Sequence, residues 1–436
     1  MIKKDARDVA VSAITAFRKR SAWTDGFLRN EIRSNNLSQQ DAALATEIVN
    51  GVLQNMLLIN YYIKCFSSLK FNKISPGILD ILQVAVYQIL FLDRIPDSAA
   101  VNDAVKRAKR NNVRAAGFVN ALTRKISVEK ERLPEIAGTV PEKLSIQYSH
   151  PVWLVNRFIS LYGVETTEKI LAENNRKTSI SVRINTLLIT QQEFLEDEKD
   201  FSIGIIPDSA TIEHSRGIEN REAFKNGKFQ VQDIASQVAA LTLRPEKNTS
   251  VLDACAAPGG KSFLMAQLMQ NTGKLVSCDI YSHKIELIRA RAKTLGIKNM
   301  TAMLQDASVF NPEFEDAFDS VLADVPCSGL GIIRKKPDIR YKDETELEKL
   351  PQLQLSILRN SARYVKKGGA LLYSTCTVLP DENHEVIAAF LNDNDSFVEE
   401  KEYFDIPVIN NPYGITFLPH ISNTDGFYMC KLRRIK

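Results

Sequence analysis

Metal-binding and disulfide-forming residues are scarce in this sequence and poorly placed for either purpose. The six cysteines (Cys65, Cys255, Cys278, Cys327, Cys376 and Cys430) are scattered without a Cys-x-x-Cys pair, and the five histidines show no His-Glu-x-x-His or other ligand spacing. That pattern argues against a zinc framework and a disulfide scaffold, so no metal is expected and the cysteines are expected as free thiols. Long apolar runs are missing too: even the stretch 81–92 is interrupted by Gln83 and Gln88, which argues against a bilayer span. The first residues lack the charged-then-apolar pattern of a secretory leader. Repeats and low-complexity tracts are absent. A cytoplasmic protein without membrane contact is expected, and nothing demands more than a monomer.

What is present is a chain of 436 residues, 44% hydrophobic and 25% charged, which suits a folded protein of two or three domains. Its net charge of +4 conceals an asymmetry. The first 150 residues hold 22 Lys and Arg against 14 Asp and Glu, which leaves 34 against 38 in the remainder. A basic first third suggests contact with a polyanion.

Three regions follow one another. Residues 1–143 read as all-helical, with apolar residues at helical spacing in 6–17, 43–63 and 78–85. Ser38 is a candidate N-cap, and Ser75-Pro76 a candidate helix start. A helix over 99–110 ends in Lys106, Arg107, Lys109 and Arg110, which complement a helix C-terminus and equally suit phosphate contacts. Residues 144–232 read as a small α/β part, with a helix over 151–174 and a strand over 179–185. From 233 to 436, strand and helix alternate, which predicts an open, mostly parallel sheet with helices on both faces.

Apolar strands in that last region end in polar or small residues: at Asp253, Asp279, Asp306, Asp324 and Ser374. Ligands of such sheets bind at the carboxyl ends of the strands. The first strand runs into Asp253-Ala254-Cys255-Ala256-Ala257-Pro258-Gly259-Gly260-Lys261, small residues that admit a ligand close to the backbone at a helix N-terminus. Asp279 is placed to bond a ribose diol and Asp306 an adenine amino group. A rival reading exists: Cys255, Gly260, Lys261 and Ser262 approach the phosphate-cradling Gly-x4-Gly-Lys-Ser motif, with Asp324 as its magnesium-side acid. Against it, Cys255 stands where that loop wants glycine, and the successive strand-end acids fit an adenosine-type cofactor better than a triphosphate.

The fourth of these strands continues into Asp324-Val325-Pro326-Cys327-Ser328-Gly329, and the fifth into Tyr373-Ser374-Thr375-Cys376-Thr377. If these strands are neighbours, both thiols sit at the reactive edge. A lone cysteine there is most simply a core residue; two at neighbouring strand ends suit methylation of cytosine at carbon 5. That carbon is a poor nucleophile until a thiolate adds at carbon 6, helped by a group at N3, for which Asp324 is the candidate. Spacing alone does not say which cysteine attacks.

The three blocks 253–261, 324–329 and 374–377 resemble those of the Nol1/Nop2/Sun family of RNA cytosine-C5 methyltransferases. Gln230-Val231-Gln232-Asp233, Asp425-Gly426-Phe427-Tyr428 and Val182-Arg183-Ile184-Asn185 are similar to further blocks of that family. The stretches 96–105 and 117–122 resemble the NusB-type helical RNA-binding fold, although Asp103 stands where glutamate is usual. The pairing covers nearly the whole chain and points to the branch acting on bacterial 16S ribosomal RNA. The resemblance implies an α/β fold, a Rossmann-like class I methyltransferase domain preceded by a small RNA-binding subdomain and an all-α NusB-like domain. It implies S-adenosyl-L-methionine as cofactor, held by residues 255–261, Asp279, Asp306 and Asp324. Cys376 would be the nucleophile and Cys327 would assist release. Arg183 and Asn185, with the basic cluster at 106–110, would face 16S ribosomal RNA. The alternative from another class is an RNA-binding assembly factor with an inactive methyltransferase fold.

Overall fold

Caps written into the sequence start the first helices. Asp5 accepts the amides of Arg7 and Asp8 ahead of the helix Ala6–Arg18, Ser38 accepts the Asp41 amide ahead of Gln39–Gln54, and Pro76 opens Pro76–Phe91. In the computed structural model, residues 4–19, 24–213, 217–402 and 405–436 are described. They divide by packing into two compact units, Met1–Asn175 with Lys335–Lys342, and Arg176–Arg334 with Asp343–Lys436.

The first unit is helical. Pro76–Phe91 is buried nearly all round, and Ile14, Ile48, Val52, Val101 and Leu122 pack into the same core. Asp80, wholly buried on that helix, is held by the Arg18 guanidinium at 2.9 Å and the Thr15 hydroxyl at 2.7 Å. The packing limit of this unit lies beyond the expected boundary at 143. A Thr139–Glu142 capping box starts the helix Val140–Tyr148, so 143 falls inside a helix, and that helix and Val152–Glu173 belong to the first unit. The segment Lys335–Lys342, distant in sequence, completes this unit. The wholly buried Arg340 donates to the carbonyls of Gln54 (3.0 Å) and Tyr148 (3.2 Å) and to Asn175 Oδ1 (2.9 Å). Burial without a carboxylate partner pulls its guanidinium down to about 10.

The second unit holds two sheets. In the smaller, strands β1 (Ile180–Ile184), β2 (Ser202–Ile203), β3 (Ser209–Ile212) and β4 (Phe229–Val231) lie antiparallel in the order β2-β3-β1-β4. Phe194, Phe201 and Phe229 meet edge to face in its core. The larger sheet is built from β5 (Ser250–Asp253), β6 (Lys274–Asp279), β7 (Met300–Leu304), β8 (Phe318–Asp324) and β9 (Val365–Thr375), followed by β10 (Phe397–Glu399), β11 (Ile409–Asn410), β12 (Ile415–Phe417) and β13 (Phe427–Arg434). The order is β11-β12-β13-β9-β8-β5-β6-β7, with β10 on β13.

Strands β5 to β9 pair in parallel, and β13 joins β9 antiparallel. This is the expected doubly wound α/β architecture. The order reverses between β5 and β8, so the loops leaving these two strands part there and open a crevice. Among the described residues no single helix is long and apolar enough to cross a membrane.

Candidate active site

Parallel pairing aligns the strand ends, and the register sets what meets there. Asp324 lies opposite Ser374 across β8 and β9, so the residues two or three positions beyond each strand end are neighbours. The Sγ atoms of Cys327 and Cys376 are 3.2 Å apart, and both side chains are partly exposed. Asp324 accepts the Lys261 ammonium at 2.6 Å and the Ser374 hydroxyl at 2.7 Å. Burial alone would pull Lys261 down, yet the Asp324 charge, with Cys376 and Asp253 behind it, holds it above the usual lysine range. The ammonium also lies 5.1 Å from the centre of the Phe427 ring, within cation–π range.

The thiols of this unit fall into two classes. Burial pushes Cys278 up to about 12, and Cys255 and Cys430 well above the ordinary thiol range. Cys376 moves the other way. The hydrogen bond from Cys327 lowers it, and Lys261 assists, against burial and the charges of Asp324 and Asp425. Cys327 is raised in turn by that hydrogen bond and by burial. Of the two thiols, Cys376 is therefore the one whose surroundings favour the thiolate.

The loop after β5 and the next two strand ends offer polar groups suited to a nucleoside cofactor. Gly259 has φ +104°, a left-handed turn, and a Cβ there would strike the Phe263 ring at 2.3 Å; the helix Gly260–Leu268 follows directly. Asp279, nearly buried, accepts the amides of Ala257 (3.3 Å) and Tyr281 (3.0 Å). Asp306 accepts the Ser308 amide (2.9 Å) and hydroxyl (2.7 Å). Beneath the loop, Asp253 accepts the Ser262 hydroxyl at 2.5 Å, and burial pushes its carboxyl up to about 7. Carboxylates at consecutive strand ends and small residues at a helix start fit the ribose, base and amino-acid parts of S-adenosylmethionine. The triphosphate reading loses its cation, because Lys261 is paired with Asp324.

Residues 255–261, Asp279, Asp306, Asp324, Cys327 and Cys376 therefore gather along one sheet edge. The expected RNA contacts do not all reach a surface. Arg183 is 3% exposed and donates to the Pro207 carbonyl at 2.8 Å beside Asp208. Asn185 is wholly buried and its amide donates to the carbonyls of Gly227 and Leu295, both at 2.9 Å. Arg107 is 6% exposed and engaged by Asp5, Asp8 and Asp103. These three side chains hold the fold together, which corrects the expectation that they grip RNA directly. Lys106, Lys109 and Arg110 are exposed.

Two blocks without an assigned role prove to meet. The Asp425 amide donates to Asp233 at 3.2 Å, and buried Arg334 reaches Asp425 at 2.9 Å and Asp233 at 3.8 Å. Gly331 donates its amide to the Cys376 carbonyl at 2.9 Å and accepts the Gly426 amide at 2.8 Å. A Cβ on Gly331 would stand 1.9 Å from the Gly426 carbonyl oxygen, so only glycine lets these backbones approach. Sequence pattern singles out neither Glu382 nor Asn383, yet both are buried beside the cysteine segments.

Comparison with known proteins gives the chain a family. The family model described as 16S rRNA methyltransferase RsmB/F matches residues 240–433. A NusB family model matches 4–127, and an RsmF/B-like ferredoxin-like domain matches 150–207. A protein of Bacillus subtilis named probable ribosomal RNA small subunit methyltransferase B is 37% identical, with 100% of each chain covered. Its namesake from Synechocystis is 30% identical over 98% of this chain and 99% of its own. A crystal structure described as PH0851 superposes with a TM-score of 0.80 at 28% identity, covering 98% of each chain.

Proposed function

Because the chain belongs to the ribosomal RNA small subunit methyltransferase B family, we propose that it methylates carbon 5 of one cytosine in 16S ribosomal RNA, with Cys376 as the attacking thiol. The methyl donor is S-adenosylmethionine, which supplies an electrophilic methyl group. The observation that carries the reading is the pair of thiols 3.2 Å apart beside an Asp324 clasped by Lys261 and Ser374. An oxygen- or nitrogen-directed methyltransferase has no need of two thiols.

In this reading the Cys376 thiolate adds to carbon 6 of the extruded cytosine, while Asp324, held in place by Lys261 and Ser374, protonates or hydrogen-bonds N3. Carbon 5 then carries the electron pair that takes up the methyl group. Loss of the carbon-5 proton expels Cys376, with Cys327 assisting that release. Residues 255–261, Asp279 and Asp306 hold the cofactor, and Asp324 lies between cofactor and base. Residues 233–436 form the catalytic part, while 1–143 and 144–232 face the RNA.

Incubation of the protein with 16S ribosomal RNA and methyl-labelled S-adenosylmethionine should give 5-methylcytosine at one position, located by bisulfite sequencing. Absence of product across naked RNA and small-subunit particles, with RNA binding intact, would instead favour an assembly factor. A separate expectation concerns the exposed cluster. Changing Lys106, Lys109 and Arg110 together to alanine should weaken binding to 16S ribosomal RNA and shrink the slope of log affinity against log salt by about 2. Binding of S-adenosylmethionine should not change. An unchanged slope removes these residues from the interface.

A further inference from the structure

The two cysteine segments share a buried anchor. Glu382, wholly buried, accepts the Ser328 amide at 2.8 Å and the Gln354 side-chain amide at 2.9 Å on one carboxylate oxygen, Oε2. Gln354 also donates to the Pro326 carbonyl at 3.0 Å, so the residues on both sides of Cys327 are tied to Glu382. The next residue, Asn383, accepts the Thr375 hydroxyl at 2.6 Å and donates to the Thr377 carbonyl at 3.1 Å, and so grips both sides of Cys376. The Ser328 hydroxyl donates to Thr377 at 2.8 Å and closes the frame. Both side-chain and backbone donors to Glu382 are neutral, and its other oxygen, Oε1, is buried without a hydrogen-bond partner. A neutral glutamine would supply the same acceptor, so the bracing alone does not explain a carboxylate.

We propose that Glu382 is a positioning residue that makes the two thiols unequal, its carboxylate keeping the shared proton on Cys327 so that Cys376 is the one free to attack. The inference rests on the assignment of Cys376 as the attacking thiol. Cys327 faces Cys376, Glu382 and Tyr373, and Cys376 faces Cys327, Asp324, Lys261 and Asp425. The hydrogen bond to Cys376, burial and the Glu382 charge all oppose a thiolate on Cys327. An anion held in a poorly solvated place acts strongly on such a neighbour. When Cys376 becomes a thioether in the adduct, its own opposition vanishes, and Cys327 is easier to deprotonate at the stage where release requires it.

The test needs neither RNA nor cofactor. The folded full-length protein is labelled with iodoacetamide across a pH series, and each cysteine is quantified by peptide mass spectrometry. In the unaltered protein Cys376 should react ahead of Cys327. Glu382→Gln, which keeps the hydrogen-bond acceptor and removes the charge, should raise the labelling of Cys327 relative to Cys376 by about threefold or more, whereas Glu382→Asp should stay near the original ratio. A folded Glu382→Gln variant with an unchanged ratio overturns the proposal. Independently of that variant's folding, Cys376→Ser should speed the labelling of Cys327 only in part, because burial and the Glu382 charge still oppose its thiolate. If Cys327 there behaves as an ordinary thiol, titrating near about 8.5, the proposal is equally overturned. Should the labelling behave as expected while no RNA is methylated, the functional reading fails and the thiol asymmetry stands.

Discussion

Cys376→Ala is expected to lower methyl transfer by about 10⁴-fold or more and to yield no covalent complex with RNA on a denaturing gel. Without the thiolate, carbon 5 has no electron pair to offer, and neither cofactor binding nor base extrusion substitutes for it. The companion variant separates the two thiols. Cys327→Ala leaves Cys376 able to attack but removes its partner in release, so a protein–RNA crosslink should accumulate while multiple turnover stops. The 3.2 Å between the sulfurs makes the experiment sharp, since either atom is close enough to stand in for the other. An exchange of the two phenotypes would reverse the assignment. Alanine at Cys327 also removes the hydrogen bond that lowers Cys376, so adduct formation by that variant should shift to higher pH.

The second large effect belongs to Asp324. Asp324→Asn should cut the turnover number by about 10² to 10⁴-fold, the range for a lost acid–base partner. The same change should make Cys376 more reactive toward iodoacetamide, not less, because the Asp324 charge opposes the Cys376 thiolate. Loss of turnover with a gain in thiol reactivity distinguishes a group that serves the substrate ring from one that activates the nucleophile. If turnover and labelling fall together, Asp324 acts on the thiol and its place at N3 is lost. Asparagine also leaves Lys261 without its carboxylate, so the variant's folding should be checked by thermal denaturation beside the unaltered protein.

The catalytic edge was legible because each parallel strand is a short apolar run ending in a residue that does chemistry, and a doubly wound sheet brings such ends together. That Asp324 lies opposite Ser374 is set by the strand register, which no spacing in the sequence announces. The RNA contacts were less legible, and for identifiable reasons. Arg107 sat in a basic cluster, but it shares a helix face with Ala100, Ala104 and Ala108, all buried, and that spacing already turned it inward. The partners that neutralise it, Asp5 and Asp8, come from a different helix, and no local pattern announces them. The resemblance that turned Arg183 toward RNA carries no burial signal, whereas Val182, Arg183 and Ile184 are all buried in their strand. The helix beginning at Val140 did carry its signal, the Thr139–Glu142 capping box, which composition alone passed over.

Arg340 has a consequence for how the protein is made. The carbonyl of Gln54 and the side-chain oxygen of Asn175 find a donor, and the carbonyl of Tyr148 a further one, in a residue that lies more than a hundred positions further on. The helical unit therefore cannot reach its final packing in the order in which a ribosome delivers it. Arg340 follows the first four parallel strands of the larger sheet in the chain, so these acceptors gain their last donor only after those strands have been synthesised. Domain-by-domain folding during translation is here replaced by a dependency: the part made early is locked by a peptide made late.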